Sequence, residues 1–549
     1  MKIDLHIHTD ESDGSCSALE IIKLAAETGI NCLSITNHDT VVGLEETVYE
    51  GIKAGIEIIP GIEISAMDQK TKRKVHILGY GFKPEAEHIT ELCAPVLKRR
   101  QVRSLEQIEI LQKYGFQIKA EDVLKKRQGR TIYKQHIMAE LVAKGYTDEI
   151  YSDLYQSLFK GDGICAGDIE YADVFAAVQA IKNDGGIAVL AHPGYQDTYY
   201  LVPELARNGL DGIELNHEKH SAEDQRRIRN LAAKYRLLQT GGSDFHGTYG
   251  SVKGLGKLVC PEQEFTRLKE LVDTRFFFLQ NIVYRAGKIL AALAMKQQKK
   301  IFLQKNEYHN LVTNFDYETE KYLVGEIKER FPDDSFMTEE ATVDRDETGK
   351  YLWIIDPIDG TTNFVSVGKD FAVSVALYKN GEPVMGVVYD VMKDNLYVGA
   401  QNFGAWLNGH NVCLKKDNVL LSEAIVDFSL TSMLQMQKKY AVDLLKIQPL
   451  IRGHRSCGVP SLAICRLVIG ELDLYLSAQL ALWDYAAAII FAAEADAFIF
   501  IGNSKNKAKD EEKLVVICNN KKMFGDLKEQ LFNKKIKGQM ISQRQKNKR

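Results

Sequence analysis

The first half of the chain repeats one pattern, in which a short apolar run is followed by a stretch with helical spacing of its apolar residues. The runs are, in order, KIDLHIH, INCLSIT, IEIIPGIEIS, KVHILGY, GIAVLAH, GLDGIELN and LLQTGGS. Strands that alternate with helices are typical of parallel sheets, because the helix carries the chain back to the start of the next strand. The sequence therefore predicts an α/β sheet or barrel for residues 1 to about 260.

One segment, from about Pro84 to Gly163, interrupts this alternation. Its apolar spacing is helical, and we interpret it as a helical insertion. Its basic residues fall in two groups: Lys98, Arg99, Arg100 and Arg103, then Lys125, Lys126, Arg127 and Arg130. A basic helix face is often only a solvated surface, so these charges alone do not establish a binding site.

The second half has a different character, and 549 residues are too many for one hydrophobic core. We place the domain boundary near Phe276, which gives domains at 1–275 and 276–530. Helical FLQNIVYRAGKILAALAMKQQKK precedes a meander in which the Asn-Gly pairs at 380–381 and 408–409 predict antiparallel hairpins. Residues 531–549 are basic without apolar periodicity, which predicts a solvated tail.

Composition excludes several classes of protein. The chain has 70 basic and 74 acidic residues and a net charge of −4, so no overall positive field attracts nucleic acid. Its nine cysteines form no C-x-x-C pair, which argues against a zinc ribbon and a disulfide scaffold. The best candidate for a membrane span is interrupted by Glu494 and Asp496, and the N-terminus lacks a signal-peptide pattern. We expect a cytoplasmic enzyme without a membrane segment.

Histidines and carboxylates stand at or close to the ends of nearly every predicted strand. In the first strand Asp4, His6 and His8 share one face because side chains alternate. Imidazole and carboxylate together suit divalent transition metals, and in parallel barrels this rim carries the catalytic groups. A single histidine there is more often satisfied locally. The whole set favours a metal cluster: His6, His8, Asp13, His38, Glu63, His76, His192, Asp244 and His246.

The motifs DLHIHTDESDGS, TNHDT, GIEIS, VHILGY, AHPG and GGSDFHG resemble those of the polymerase-and-histidinol-phosphatase (PHP) family of phosphoesterases over residues 1 to about 256. The resemblance implies a distorted seven-stranded β/α barrel with the nine residues above as ligands of two or three ions, either Mn²⁺, Fe²⁺ or Zn²⁺. It also implies a nucleoside 3′,5′-bisphosphate phosphatase or a 5′→3′ exoribonuclease. His192 is a candidate proton donor. Candidate contacts to a second phosphate are Arg99, Arg103, Lys134 and His136.

A second constellation lies in YLWIIDPIDGTTNF. Asp356 and Asp359 flank a proline-stiffened turn, where two carboxylates and a backbone carbonyl between them suit a hard cation. Gly360 and Thr361 would then open a helix whose N–H groups favour a phosphate. Further acids are Asp316, Glu339, Glu340 and Asp484, the last of which we expect to be buried among apolar neighbours. An all-oxygen ligand set indicates Mg²⁺.

Jointly these fragments resemble the inositol monophosphatase family over about 276 to 520. The resemblance implies a layered αβαβα fold and a Mg²⁺-dependent phosphomonoesterase that forms a homodimer. It also implies a role for each residue. The first metal is held by Glu339, Asp356 and the Ile358 carbonyl; the second by Asp356, Asp359 and Asp484; the attacking water is oriented by Thr361, Asp316 and Glu339; substrate contacts are Asp359, the Gly360 and Thr361 amides, and Lys305. Ser477 replaces the glutamate that contacts inositol in the family.

Three hypotheses for the whole chain remain open. The leading one is a bifunctional phosphatase with two independent divalent-metal sites acting on small phosphomonoesters. Its C-terminal half would act on inositol phosphates, sugar phosphates or 3′-phosphoadenosine 5′-phosphate, and both halves would clear nucleotide bisphosphates. The second is an exonuclease that acts on short RNA, fused to an unrelated sugar or inositol phosphatase. The third makes one half a non-catalytic ligand-binding module.

Overall fold

The computed structural model describes residues 1–127, 130–250, 254–296, 303–307, 310–414, 419–502, 513–530 and 538–541. The chain divides into two compact units, Met1–Thr274 (unit 1) and Arg275–Arg549 (unit 2). Among the described residues, none of the helices combines the length and apolar character that crossing a bilayer requires.

Unit 1 contains strands at every apolar run that the sequence analysis singled out. Its strands are β1 (Ile3–Ile7), β2 (Cys32–Ile35), β3 (Glu57–Ile58), β4 (Gly61–Asp68), β5 (Arg73–Tyr80), β6 (Ala172–Asp173), β7 (Ile187–Leu190), β8 (Gly212–Asn216) and β9 (Leu238–Gly241). They form a three-stranded sheet, β1-β2-β3, and a six-stranded sheet, β6-β4-β5-β7-β8-β9.

Seven of these strands follow one another in a ring. Two isolated parallel bridges connect the sheets: His38 pairs with Glu63 beyond the end of β2, and Ile7 at the end of β1 pairs with Phe245. The ring order is β1-β2-β4-β5-β7-β8-β9, with single bridges rather than a continuous ladder at the two joints. The predicted α/β fold is confirmed for this half.

One strand of the ring runs against the others. β5 is antiparallel to both β4 and β7, whereas β7, β8 and β9 are mutually parallel. Only residues 69–72 connect β4 to β5, which is too short for the crossover that a parallel pair needs. The expectation of ligands at the ends of parallel strands is therefore wrong for two residues: Glu63 lies near the start of β4, and His76 lies within the reversed β5.

Helices surround the ring and fill the segment that interrupts the βα alternation. They are α1 (Ala18–Thr28), α2 (Leu44–Ala54), α3 (Glu87–Lys113), α4 (Ala120–Arg127), α5 (Lys134–Ala143), α6 (Asp153–Phe159), α7 (Val174–Asn183), α8 (Pro193–Gln196), α9 (Val202–Arg207), α10 (Ala222–Tyr235) and α11 (Glu262–Leu271). Helices α3 to α6 form the insertion, and they have an apolar core of their own that includes Ile108, Leu111, Ile137 and Leu141.

Unit 2 begins with helix α12 (Arg275–Lys296). Its strands are β10 (Leu303–Glu307), β11 (Asn310–Thr313), β12 (Ser335–Thr338), β13 (Tyr351–Asp359), β14 (Ala372–Lys379), β15 (Glu382–Asp390), β16 (Asn395–Ala400), β17 (Gly404–Leu407), β18 (His410–Val412), β19 (Ile425–Asp427), β20 (Gly453–Arg455), β21 (Leu474–Leu480), β22 (Phe498–Gly502), β23 (Lys513–Cys518) and β24 (Gly538–Ile541). Its other helices are α13 (Asn314–Arg330), α14 (Thr361–Ser366), α15 (Leu430–Tyr440), α16 (Pro460–Val468), α17 (Leu482–Glu494) and α18 (Lys521–Gln530).

These elements stack in five layers. Helices α12 and α13 cover one face of the seven-stranded sheet β12–β18, and α16 and α17 cover the other. The second sheet, β20-β19-β21-β23-β22-β24, packs on α16 and α17 and is covered in turn by α15 and α18. This is the predicted αβαβα order. The predicted hairpins are also confirmed: Asn380 and Gly381 have φ of 51° and 81°, and Asn408 and Gly409 have φ of 52° and 78°, as two-residue hairpin turns require.

Part of the basic tail is not a solvated end. Residues Gly538–Ile541 form β24, which pairs antiparallel with β22 at the edge of the second sheet. The prediction is wrong for these four residues because an open sheet edge supplies backbone partners to any short segment that reaches it. The rest of 531–549 lies outside the described residues.

Helix α17 lies between the two sheets, and its residues from Tyr485 to Ala492 are all apolar and all buried, as the buried part of a helix should be. Gly386 of β15 and Gly399 of β16 stand opposite each other and let it approach closely. A Cβ on Gly399 would lie 2.3 Å from Phe491 Cα, and one on Gly386 would lie 2.2 Å from the Ala487 carbonyl oxygen.

We expect Gly399→Ala to destabilise unit 2 by about 1–3 kcal/mol, because backbone of α17 would have to move. Gly325→Ala is the matched control: a Cβ there meets nothing within 4 Å, and in helix α13 alanine should stabilise by up to about 1 kcal/mol. Denaturant unfolding followed by circular dichroism measures both. Equal stability of the two variants would contradict the close packing of α17.

Candidate active sites

The nine predicted metal ligands of unit 1 converge at one end of the ring. All but His192 fall into groups whose ligand atoms lie within 4.8 Å of one another. The groups are His8, Asp13, His38 and His246 (group A), His6, His8, Glu63 and Asp244 (group B), and His38, Glu63 and His76 (group C). Because His8, His38 and Glu63 are each shared by two groups, the three groups adjoin one another.

Glu63 stands at the centre of this cluster and is 1% exposed. Its Oε2 lies 3.2 Å from His6 Nε2 and 3.1 Å from His8 Nε2. Its Oε1 lies 2.8 Å from His76 Nδ1 and 2.9 Å from His192 Nε2, which brings the ninth residue into the cluster. One carboxylate therefore connects imidazoles from three strands.

Several histidine nitrogens of the cluster face carboxylate oxygens without forming good hydrogen bonds to them. His6 Nε2 and both ring nitrogens of His8 are buried without a well-directed hydrogen bond, although carboxylate oxygens lie 3.1–3.5 Å away. Buried nitrogens that converge with carboxylates on shared points, without bonding to them, fit metal ions placed between them. The nitrogen and oxygen donor set fits Mn²⁺, Fe²⁺ or Zn²⁺.

A buried carboxylate outside the cluster sets the orientation of His6. Glu214 Oε1 accepts a hydrogen bond from His6 Nδ1 at 2.9 Å, which leaves Nε2 directed at the cluster. Burial opposes a charge on His6, yet Glu214, Asp244 and Glu63 outweigh it and raise the His6 pKa well above its usual value. Glu214 Oε2 also accepts from the backbone N–H of His192 at 2.8 Å.

A cavity of about 490 Å³ adjoins the cluster. Asp13, His38 and His76 form part of its wall. The rest of the lining is cationic and aromatic: it includes Arg73, Lys74, Arg100, Arg103, Lys134 and Lys160, with Tyr133, Tyr155, Tyr171 and Tyr195. The cavity therefore suits a ligand with several negative charges and a flat ring.

In unit 2 a break in strand β13 brings two carboxylates together. The register with β14 shifts between Asp356 and Asp359, where Pro357 has no N–H to give to the ladder. In a regular strand residues three apart face opposite sides, so the shift is what turns both side chains to one side. Both are buried, and Asp359 Oδ2 accepts from Ser461 N at 2.7 Å.

The carboxylates of Glu339, Asp356, Asp359 and Asp484 (the carboxylate cluster) repel one another. Burial, followed by the charges of its neighbours, raises the pKa of Glu339 to about 8. Burial and the charge of Asp484 raise that of Asp359 to about 7, although Ser461 opposes the shift. The pKa of Asp356 also lies well above its usual value, first from burial and then from Glu339. Such a group is relieved by cations, and its all-oxygen donors fit Mg²⁺.

Helix α14 begins at Thr361, as the sequence analysis predicts, directly after Gly360 at φ 92°. The Thr361 hydroxyl lies 3.0 Å from Asp316 Oδ1 and 3.0 Å from the Ile358 carbonyl oxygen. Asp316 is fixed from its other side, because its Oδ2 accepts from the Thr313 amide at 2.7 Å. Thr361, Asp316 and the Ile358 carbonyl thus lie together beside the carboxylates.

Family models match both units. The inositol monophosphatase family matches residues 272–547, about half of the chain, and the PHP domain matches residues 4–189. The chain belongs to the inositol monophosphatase family, joined to an N-terminal PHP domain. Both are families of metal-dependent hydrolases of phosphoesters, so the chain is a bifunctional metal-dependent phosphatase.

Three relatives illustrate the match. A phosphoribosyl 1,2-cyclic phosphate 1,2-diphosphodiesterase of Eggerthella lenta is 44% identical over 46% of this chain and 97% of its own length. A 5′-3′ exoribonuclease of Haemophilus influenzae is 31% identical over 47% of this chain and 93% of its own. An inositol-1-monophosphatase of Bacillus subtilis is 37% identical over 35% of this chain and 72% of its own.

Two predicted phosphate contacts of the PHP domain lie away from the cavity. Arg99 is not part of the lining and donates from Nε to the Glu170 carbonyl at 2.8 Å. His136 is buried, accepts from the Tyr133 amide at 2.9 Å, and is also absent from the lining. Arg103 and Lys134 do line the cavity. The helix rotation places Arg100, rather than Arg99, toward the cluster.

Asp484 and Lys305 are two further predicted site residues of the inositol monophosphatase domain. Asp484 is only half-buried, because it lies in the first turn of α17, ahead of the buried part of the helix that begins at Tyr485. Its Oδ2 accepts from the Ala481 amide at 2.8 Å. The prediction that it is buried among apolar neighbours is therefore wrong. Lys305 lies in β10 opposite Leu311, and its side chain is outside the described part of the structure.

Some residues around the PHP cluster escaped the sequence analysis. Glu214 orients His6, and His217 Nε2 lies 3.2 Å from Asp244 Oδ2. Both lie at the end of GLDGIELNH, and the same strand-end rule would have found them. Asp39 Oδ2 accepts from Arg100 Nη2 at 2.7 Å, and that pairing depends on tertiary structure alone.

Proposed function

We propose that the PHP domain hydrolyses a phosphoester of a ribose that carries a second phosphate group, as in a nucleoside 3′,5′-bisphosphate. The observation that carries this is the cavity, in which metal ligands form one wall and six cationic side chains stand among the others. Its volume of about 490 Å³ is in the range of about 300–1,000 Å³ typical of small-molecule sites. A single phosphate at the cluster would leave those cations unused.

The cationic side chains are positioned by the protein before any ligand arrives. Arg100 Nη2 is 2.7 Å from Asp39 and 3.0 Å from Ser65 Oγ, and its guanidinium lies 4.7 Å from the Tyr133 ring centre. Asp168 pairs with Lys74 and lies 3.6 Å from Lys134. A fixed array of this kind binds a second phosphate without much loss of side-chain entropy.

Bound divalent ions would lower the pKa of a water molecule and neutralise phosphate oxygens. The nine cluster residues would hold them. His192 contacts Glu63 and is not part of the cavity lining, so we assign it to metal binding rather than to protonation of the leaving group. The cavity residues bind the remainder of the substrate and keep its reacting phosphate against the cluster.

The substrate class is tested by initial rates with Mn²⁺ on adenosine 3′,5′-bisphosphate, AMP, phosphoribosyl 1,2-cyclic phosphate and a short 5′-phosphorylated RNA. We expect the first or third to be hydrolysed at least tenfold faster than AMP, because a charged hydrogen bond is worth about 1.5–3 kcal/mol. Lys134→Ala should remove this preference, whereas Lys144→Ala, on a residue outside the cavity lining, should not. If AMP is hydrolysed as fast as both the bisphosphate and the cyclic phosphate, the cavity does not recognise a second phosphate.

A second candidate function, stepwise exonuclease action on RNA, is favoured by the 31% identity to an exoribonuclease and by the four tyrosines of the cavity. Release of mononucleotides from the RNA at a higher rate than phosphate from the bisphosphate would select this function. If neither product is released in the presence of Mn²⁺ and the cyclic phosphate is not hydrolysed either, the PHP domain has no hydrolytic activity on these substrates and the proposed function is wrong.

For unit 2 we propose a Mg²⁺-dependent phosphomonoesterase acting on inositol phosphates, sugar phosphates or 3′-phosphoadenosine 5′-phosphate. The supporting geometry is the carboxylate cluster beside Thr361 and Asp316, with Glu339, Asp356, Asp359, Asp484 and the Ile358 carbonyl as metal ligands. Ser477 is buried and lies 3.1 Å from Ser432 Oγ, so this position offers no carboxylate to polyol hydroxyls. We therefore expect broad activity rather than a strict inositol preference, which a substrate panel with Mg²⁺ would measure.

We infer that the whole protein is a cytoplasmic homodimer. Both of its units would turn over nucleotide bisphosphates, and unit 1 would hold Mn²⁺, Fe²⁺ or Zn²⁺. Light scattering tests the dimer, and elemental analysis of protein purified without added metal identifies the ions. Assays of variants inactive in one unit show whether the two units share a substrate.

A further inference from the structure

The ligands of group A depend on two loops of unit 1. Loop 1 (residues 8–17) presents Asp13, and loop 2 (residues 36–43) presents His38. Glu63 and His76, by contrast, lie within β4 and β5, where an unbroken ladder of backbone pairs fixes them. The placement of group A therefore depends on whatever holds the two loops.

The helical insertion holds loop 1 through Arg127, the last residue of α4. Arg127 Nη1 donates to the Asp10 carbonyl at 2.6 Å, and Nη2 donates to the Ser12 carbonyl at 3.1 Å. Its Nε donates to the Thr131 carbonyl at 3.2 Å, and the residue is only 5% exposed. Because Ser12 directly precedes Asp13, this fork fixes the direction in which the Asp13 carboxylate leaves the loop.

The start of α5 makes further contacts with the same ligands. Gln135 Nε2 donates to Asp13 Oδ2 at 2.9 Å, and the Tyr133 hydroxyl donates to the His38 carbonyl at 2.9 Å. Tyr133 is 3% exposed, and its ring stacks on that of His38 at 6.5 Å. Two of the four ligands of group A are thus supported from the insertion.

We infer that the insertion positions one of three metal ions, the ion of group A, and that Arg127 is the main positioning residue. This rests on the proposed metal-dependent function of unit 1. Without Arg127 the part-buried Asp10 carbonyl and the buried Ser12 carbonyl lose charge-assisted donors, and Asp13 gains freedom to turn away. Group B keeps its ligands, because the backbone amide of His8 donates to the Phe245 carbonyl at 2.9 Å rather than depending on Arg127. Group C keeps Glu63, His76 and His38, and the described hydrogen bonds of Arg127 go to other residues, so the ions of both groups remain.

The test uses the full chain loaded with Mn²⁺ and treated with increasing concentrations of chelator, with the retained Mn²⁺ counted by elemental analysis. Arg127→Ala should weaken one ion per chain by about 10- to 100-fold, the usual effect of removing a group that orients a metal ligand, and should leave the others unchanged. Arg127→Lys keeps the charge and places its donors on a single nitrogen instead of a fork, so it should recover part of the loss.

Arg99→Ala is the matched control, because it removes a guanidinium of the insertion that binds the Glu170 carbonyl instead of a ligand loop. It should retain every ion. Retention of all ions by Arg127→Ala, or simultaneous loss of every ion of unit 1, would overturn the inference.

Gln135→Leu covers the case in which Arg127→Ala does not fold. It removes one donor from Asp13 Oδ2, and Asp13 belongs to group A alone, so the same ion should weaken by a smaller factor. Release of that ion from this variant at the wild-type chelator concentration would also overturn the inference. Parallel counts on Asp356→Asn subtract the ions of unit 2. If the wild type then binds no Mn²⁺ in unit 1, the proposed function fails rather than the role of Arg127.

Discussion

Glu63→Gln should reduce hydrolysis by the PHP domain by at least about 10³-fold, the rate equivalent of several kcal/mol of metal-supplied stabilisation. The change keeps the shape of the side chain and removes the one charge among the described residues that contacts His6, His8, His76 and His192 together. Burial opposes ionisation of Glu63, yet the imidazoles, first that of His38, hold its pKa well below the usual value. The neutral amide of glutamine cannot supply the negative charge that Glu63 offers to metal ions.

The same variant should lose metal, which elemental analysis measures alongside the rate. Glu57→Gln is the control, since Glu57 is a glutamate of the same unit that pairs at the surface with Lys269 at 3.2 Å. Hydrolysis by unit 2 should be unchanged in both variants. A Glu63→Gln protein with normal metal content and normal PHP activity would show that Glu63 is not the shared ligand.

The convergence of the nine candidate metal ligands could be predicted because their positions follow local rules. Most of them lie in or directly beside a short apolar run, and strand periodicity alone puts His6 and His8 on one face. The α/β fold of unit 1 follows from the same runs, and the hairpins of unit 2 follow from the two Asn-Gly turns, whereas the αβαβα order is implied by the family resemblance. The direction of a strand is a different matter: the reversal of β5 shows in the length of the connection at 69–72, not in the periodicity of KVHILGY.

The residues that line the cavity could be predicted only in part: Arg103 and Lys134 line it as predicted, whereas Arg99 does not. Successive residues of a helix point about 100° apart, so a shift of one position in α3 separates Arg100, beside Asp39, from Arg99, beside the Glu170 carbonyl. Glu170 and Asp39 are far from α3 in sequence, and only the fold brings them to it. The edge strand β24 could not be predicted for the same reason. It forms by pairing with β22, and only the fold places β22 where the tail can reach it.

Asp356→Asn should abolish phosphate release by unit 2, with a loss of at least about 10³-fold, and should spare the PHP domain. Asp356 is 1% exposed, and its Oδ1 accepts from the Ile358 amide at 3.1 Å, which holds the carboxylate beside the Ile358 carbonyl. Asparagine can keep that hydrogen bond but supplies no charge to a cation. The measurement is Mg²⁺-dependent release of phosphate, with the exposed Asp333→Asn as control. Loss of both activities would contradict independent sites.

Asp356→Asn should also change the stability of unit 2, and the direction of the change should depend on whether metal is present. Carboxyls with raised pKa weaken the folded state as pH rises from their usual values near 4 through the raised ones, about 7 for Asp359 and about 8 for Glu339. Metal-free unit 2 should therefore lose stability over this range, and Asp356→Asn should lose less because one repelling charge is gone. With Mg²⁺ the order should reverse, since the wild type gains more from the ions. Thermal unfolding at pH 5 and pH 8, with chelator and with Mg²⁺, measures both effects; a variant less stable than the wild type in chelator at pH 8 would show that the carboxylates do not repel.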